Sequence, residues 1–372
     1  MVEIVKVTTK KQQKEFVEFP LRLYKNNKYF VPPIYMDEMS IFSKDYVYSK
    51  TCDSIFFLAI NNGKTVGRIQ GIIQRQFNEI HGEKRLRFTR FDCIDDIEVA
   101  KKLFSALEEY GREMGMDTLC GPLGYSDLER EGLLIEGFEE LATFGEQYNY
   151  SYYQKLVESV GLEKEVDWLE FKVKYPKEQS EKVKRVSERA LELNKLHVAN
   201  PKLSKSKLLK RYADGIFKCL DVCYKELYGT VPFTEDMKKQ ILSQFKLFIE
   251  KKWMLIILDE KDNVVAFGFC MPQLGKALQK SGGRLTLCTL LKLLKALKKP
   301  KVLEFCLIGV VPEYQSKGVN SIALDGIMNM LKKDIEYCET NLCLETNHKI
   351  LAQWNYFDAQ NHKKRRAYCK KI

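Results

Sequence analysis

Histidine is scarce, 4 in 372 residues, and the 11 cysteines form neither a Cys-x-x-Cys pair nor a Cys/His cluster at zinc spacing. That excludes a structural zinc site, and no metal is expected. Scattered thiols of this kind read as reduced, mostly buried side chains of a cytoplasmic protein. No apolar run reaches the length of a bilayer span. Met1–Phe16 lacks the apolar core of a secretory signal, so a cytoplasmic location is expected. The basic tail His362–Ile372 has neither the interleaved aromatics nor the motif of a nucleic-acid module, so nucleic acid is not an expected partner.

What is present supports two domains. The length exceeds that of one ordinary domain, and 45% apolar with 12% aromatic residues is enough for two cores. Charge is unevenly placed. Residues 1–176 carry 24 Lys+Arg against 29 Asp+Glu, about −5, and residues 177–372 carry 37 against 21, about +16; the two sum to +11. A basic second half attracts an anionic partner, without choosing among a phosphorylated coenzyme, an acidic lipid surface and RNA.

The most informative stretch is Val302–Ile335. An apolar run, Val302–Val311, is stopped by Pro312, as a buried strand is. The short polar turn Glu313–Gly318 follows, and then Ile322, Leu324, Ile327, Met328 and Leu331 recur at helical spacing. Strand, tight turn and helix together aim free backbone N–H groups and the positive end of the helix dipole at one spot. Gly318 allows close approach to the main chain and Lys317 adds charge, which suits a phosphate or pyrophosphate. An ordinary βα unit ending in a solvated turn is the plain alternative.

Element order repeats. Residues 55–60 and 65–73, joined by Asn61-Asn62-Gly63-Lys64, read as a hairpin, followed by strand 85–91, helix 97–114 and short strand 118–120. In the second half the hairpin 253–258/264–271 precedes strand 302–311, helix 319–335, strand 341–345, helix 349–357 and strand 365–370. Hairpins give antiparallel pairs and strand-helix-strand crossovers parallel ones. The expectation is an α/β protein of two tandem mixed sheets flanked by helices, divided as 1–176 and 177–372.

The residues Val310-Val311-Pro312, Gln315 and Gly318 resemble the Q/R-x-x-G-x-G/A pyrophosphate loop of GNAT-type N-acyltransferases, with Asn320 where Gly or Ala is usual. Together with RFDCIDDIEVAKKLF (90–104), GP (121–122), GLLIEGF (132–138), YN (148–149) and YY (152–153), the chain looks like a branch of large bacterial proteins with two GNAT-like halves. The resemblance implies the duplicated GNAT fold and an acyl-CoA, acetyl-CoA or another, as acyl donor to an amine. It places the coenzyme at Gln315, Ser316, Lys317, Gly318, Val319 and Asn320, after the strand residues Ile308, Gly309, Val310 and Val311. In that family a tyrosine seven residues beyond an asparagine such as Asn347 often protonates the thiolate. Here that position is Trp354, which has no acidic proton at neutral pH, so Tyr356 is the substitute candidate.

Acyl transfer to an amine needs a base, donors for the oxyanion and, for the thiolate, an acid. Backbone N–H groups near Ile308, Gly309 and Val310 are the expected donors, Gly309 marking a bulge or close approach. Glu304, an acid within an otherwise apolar strand, is the first candidate base, and burial would raise its pKa. A solvated strand start paired with Lys301 is its alternative, and Glu345 is the second candidate base. In the first half the corresponding turn, Asp92–Asp96, has three carboxylates and no glycine, which repels a pyrophosphate. That half is expected to be scaffold or substrate wall, its acids either receiving a cationic amine or capping a helix. The stretch 285–299 sets Leu290, Leu291, Leu294 and Leu297 against Lys292, Lys295, Lys298 and Lys299. It is expected to face the core, peripheral membrane contact being the alternative. The tail is expected to be solvated or to meet the coenzyme's phosphates. Aminoacyl transfer from charged tRNA, and ligand binding on a GNAT fold without catalysis, are the competing functions.

Overall fold

The computed structural model describes all residues except 177–179, 247 and 332–334, and only the backbone of 180 and 245. The chain divides into two compact units, Met1–Leu169 with Leu274–Leu293 and His362–Ile372, and Glu170–Gln273 with Leu294–Asn361. The division thus falls at Leu169/Glu170 rather than at 176/177, beside residues 177–179 that lie outside the description. Two stretches expected in the second half, 274–293 and the C-terminal strand, belong to the first unit.

Along the first unit run β1 (Glu3–Lys6), α1 (Lys10–Leu23), α2 (Tyr35–Ser40), β2 (Cys52–Asn61), β3 (Lys64–Gln74), α3 (Arg75–His81), β4 (Arg85–Cys93), α4 (Ile97–Glu113), β5 (Thr118–Gly121), β6 (Leu133–Glu136), α5 (Tyr152–Glu158) and the start of β7 (Glu163–Lys174). The β2–β3 turn is a tight one in which Asn62 and Gly63 both take positive φ, the geometry that matches strand twist. Thr9 opens α1 with a capping box to Gln12, and Asp96 caps α4. Helix α4 packs Val99, Leu103, Phe104 and Leu107 into one core with Phe88 and Phe91 of β4 and Leu119 of β5.

The second unit continues with α6 (Ser180–Leu193), β8 (His197–Val198), α7 (Lys205–Tyr224), α8 (Glu235–Phe245), β9 (Met254–Leu258) and β10 (Val264–Pro272). After α9 (Gly275–Gln279) and α10 (Leu287–Lys298) come β11 (Val302–Val310), α11 (Val319–Leu331), β12 (Tyr337–Thr340), β13 (Cys343–Leu344), α12 (His348–Gln353) and β14 (Asp358–Lys371). The helix expected over 319–335 is described as far as Leu331; residues 332–334 lie outside the described ones. Strands in the first unit run in the order β1-β2-β3-β4-β5-β14, with β6 paired to β14; those of the second run β12-β11-β10-β9-β8. Val173 and Lys172 of β7 pair antiparallel with Cys338 and Glu339 of β12.

The C-terminal strand corrects one expectation. Apart from Lys371, which is exposed, its basic residues are drawn into the unit and not left solvated. Arg365 and Lys363 are buried, Arg366 is bidentate to Asp167 at 2.7 and 3.0 Å, and Lys370 pairs with Glu108. The acidic stretch 1–176 supplies the counter-charges. The segment 132–138 contains β6, to which β14 gives a pairing partner.

Candidate active site

The opening between β11 and β12 organises the second unit. The two strands pair in parallel from Val302↔Tyr337 to Phe305↔Thr340 and no further, while β11 continues to Val310 against β10. At the point of divergence Phe269 faces Leu307 and Cys270 faces Phe305, leaving Cys306 as the extra residue of a β-bulge. Strands that splay in this way leave those main-chain groups of residues 306–310 that point away from β10 without a partner on β12. The bulge expected at Gly309 therefore sits three residues earlier. Gly309 instead allows close approach, since a Cβ there would lie 2.8 Å from the Phe267 ring and 3.3 Å from the Cys223 thiol.

Helix α7 brings three side chains to this opening that the sequence did not single out. The Tyr224 hydroxyl donates to the Ile308 carbonyl at 2.9 Å and accepts from the Ile308 N–H at 3.4 Å. Cys219 and Cys223, one turn apart, place their sulfurs 3.8 Å from each other. Hydrogen bonding from Cys219, helped by the Val310 N–H, draws the Cys223 thiol below the usual range. Three apolar-looking helical residues give no signal of this by spacing alone; only the splay they face makes them functional candidates.

The turn that follows is tied back onto the strand. Gln315 donates from Nε2 to the Val310 carbonyl at 3.0 Å, and its Oε1 accepts from Lys349 Nζ at 3.3 Å. Ser316 (φ 62°) and Gly318 (φ 77°) both lie in the left-handed region, turning successive amides the same way. Among the described residues none accepts a hydrogen bond from the amides of Ser316, Lys317 or Gly318. Val319 is buried as the first residue of α11, Asn320 is half-buried beside it, and a Cβ at Gly318 would lie 3.4 Å from that of Ala190 on α6. Lys317 lies 5.1 Å over the Tyr314 ring. The turn thus brings together amides, a helix N-terminus and, through Gln315, the Lys349 cation.

The candidate acid–base residues fall into two groups. Glu304 is buried, not a solvated strand start, and its register partner on β12 is Glu339, buried as well. Lys172 of β7 lies opposite Glu339. In-register neighbours share a sheet face, so Lys172, Glu339 and Glu304 form a row of charges ending one residue short of the splay. Glu345, by contrast, lies in the turn after β13 and not on the strand beside β11. Asn347 caps α12 by accepting from the Ile350 N–H at 3.3 Å. Trp354 is a core residue between Phe305 and Phe357, and Tyr356 is exposed on the following turn.

The first unit has the same opening, filled differently. β4 and β5 pair only from Arg85↔Thr118 to Arg87↔Cys120. Arg68 faces Asp92 and Gln70 faces Thr89, so the strand bulges at Arg90 and Phe91, with Arg90 at φ 45°. Here Tyr152 donates to the Cys93 carbonyl at 2.8 Å, the Cys93 N–H donates to the Tyr153 hydroxyl at 3.0 Å, and Gln147 reaches the Phe91 carbonyl at 3.4 Å. Asp92 is buried against Arg68, 2.8 Å from its Nε, and accepts from Tyr24 at 3.0 Å. Its carboxylate is thus taken by an internal guanidinium rather than awaiting an amine substrate. Asp96 is the helix cap, accepting from the Glu98 and Val99 amides at 2.9 and 3.4 Å.

Two mixed units, each with a splayed, bulged fourth strand leading into a helix, define the architecture. The chain has the tandem GNAT fold. A tandem GNAT protein from the clavulanic acid biosynthesis pathway superposes over 100% of this chain and 98% of its own, with a TM-score of 0.55 at 10% identity. The glucosamine N-acetyltransferase region of a fungal multi-domain β-N-acetylglucosaminidase gives a TM-score of 0.58 at 10% identity, covering 100% of this chain and 38% of that one. In sequence the chain is 24% identical over 374 residues to Protein YghO of Escherichia coli K12, covering 98% of this chain and 94% of that protein. It is 26% identical over 326 residues to the bacterial ceramide synthase of Caulobacter vibrioides, 85% and 82% covered. No family model matches the chain.

Proposed function

We propose that the protein is an acyl-CoA-dependent N-acyltransferase whose coenzyme is held by the second unit. The observation that carries this reading is the run of three unengaged amides at Ser316–Gly318, directly after a splayed strand on a GNAT fold. Those amides, the α11 N-terminus and Lys349 would hold the pyrophosphate, and the Ile308–Val310 backbone the pantetheine arm. Bound there, the coenzyme supplies an activated thioester acyl group.

The chain's own residues supply the proton handling. Glu304 is the base for the acceptor ammonium, with Glu339 beside it and Lys172 opposite, so that the row shares charge across the sheet. Tyr224 takes the place of the missing tyrosine at 354: its phenol already lies on the Ile308 peptide, where a proton donor to a departing sulfur is needed. Tyr356 and Glu345 serve as the less central alternatives, the first exposed and the second off the strand.

The acceptor class has one pointer. A relative bears the name of a ceramide synthase, and ceramide is a long-chain amino alcohol acylated on nitrogen, so a long-chain amine is the acceptor we favour. The test is calorimetry with CoA, acetyl-CoA and a long-chain acyl-CoA, followed by thiol release across short and long-chain amines. Micromolar binding that Gly318→Val weakens supports the coenzyme site. Absence of binding at millimolar ligand removes the reading, and binding without thiol release leaves a GNAT-fold binding protein.

A further inference from the structure

Helix α10 was expected to turn its leucines inward. It does so with one stripe only: Thr289, Leu293 and Leu297, at i, i+4 and i+8, are buried. A second stripe faces solvent, with Leu287 76%, Leu290 40%, Leu291 61% and Leu294 53% exposed. These four stand at i, i+3, i+4 and i+7, a continuous apolar face. At 100° per residue, Lys292, Lys295 and Lys299 flank this face on one side, and Lys298 closes it one turn beyond Leu294; all four are exposed. The charge is one-signed well beyond the helix: between Asp262 and Glu304 there is no acidic residue, against eight basic ones at 276, 280, 284, 292, 295, 298, 299 and 301.

We infer that α10 docks the protein on an anionic lipid surface, its outer leucines entering the headgroup–acyl boundary and its lysines meeting lipid phosphates. Single exposed leucines need no explanation, but a helical stripe of four bordered by cations is the pattern of an interfacial helix. Charge selects the occupant. A second copy of the chain would bring four more lysines against the first four, whereas an anionic bilayer neutralises them. No helix among the described residues is long and apolar enough to cross a membrane, so attachment by this face is peripheral.

The inference is independent of the proposed activity, and flotation tests it without measuring turnover. The full chain is expected to float with phosphatidylcholine vesicles containing about 30 mol% phosphatidylglycerol and to stay behind with phosphatidylcholine alone. Leu287→Glu/Leu291→Glu should reduce the floated fraction about tenfold or more, the apolar insertion being lost. Lys292→Glu/Lys295→Glu, and salt raised to about 0.5 M, should each weaken it severalfold. All four positions are exposed, and circular dichroism checks that both variants stay folded. The inference is overturned if the wild type does not float, or floats undiminished with either variant. It is equally overturned if light scattering shows a dimer that the leucine variant dissolves while no vesicle binds.

Discussion

The two units share a splayed fourth strand and differ in what fills the splay. Each has a strand that bulges and parts from its parallel neighbour, exposing main-chain groups that some other atom must satisfy. In the first unit the protein itself fills the gap with Tyr152, Tyr153 and Gln147, and converts the following turn into an Asp92–Arg68 ion pair and an Asp96 cap. In the second, the Tyr224 hydroxyl touches the gap, and the turn keeps a glycine and three amides unengaged among the described residues. The same opening is thus filled by the protein's own side chains in one copy and is the proposed coenzyme site in the other.

The largest expected effect breaks the first unit. Arg90, strained at φ 45°, is bidentate to Glu38 at 3.0 Å through Nε and Nη2, and both are buried. Arg90→Ala leaves a buried carboxylate unpaired and should cost about 3–5 kcal/mol in urea unfolding. Burial pushes the Glu38 carboxyl up, but Arg90 outweighs it and the pKa falls from 4.5 to about 2. The pair therefore stabilises fully above pH 4.5 and loses that contribution as pH drops toward 2. The wild-type advantage over Glu38→Gln should shrink by about 3 kcal/mol across that window. An unchanged gap would mean that the network, not the charge, matters.

Next come two substitutions that would erase the second unit's distinction. Gly318→Val forces a β-branched side chain to φ 77° against Ala190. It should cost about 1–2 kcal/mol of stability and about tenfold or more in CoA affinity by calorimetry. Tyr224→Phe keeps the ring but removes the hydroxyl from Ile308. Under the proposed role as proton donor, the change should lower kcat by about 100-fold with KM nearly unchanged. A KM effect alone would make Tyr224 a mere placeholder for the coenzyme's arm.

How much of this was legible in the chain is itself uneven. The hairpins, β4 and α4, and the β11-turn-α11 unit follow from period-2 and period-3.6 patterns, Asn62-Gly63 and Pro312, all local signals. What escaped was long-range. The tail reads as a charged strand, yet nothing in 362–372 announces Asp167 and Glu108 as its partners, more than 190 residues away in sequence. Glu304 stood out as an acid in an apolar strand, whereas Glu339 acquires interest only through the β11–β12 register. Tyr224 and the Cys219–Cys223 pair sit on an ordinary amphipathic helix, where spacing marks a core face and not a splay. Helix α10 carried too many leucines for one face, and amphipathicity does not say which stripe is covered.

The smallest predicted effect sharpens the contrast from the other side. If the Asp92–Asp96 turn were a substrate site, removing Asp96 would alter acceptor recognition. As the cap of α4 it holds the Glu98 and Val99 amides at 2.9 and 3.4 Å, and that is a local task. Asp96→Ala should therefore lower stability by about 1 kcal/mol, with Asp96→Asn restoring most of it through the same acceptor oxygen. KM for the amine and affinity for CoA should stay at wild-type values in both variants. A rise in KM for Asp96→Asn, where the cap survives and only the charge is lost, would return the acidic turn to the substrate side.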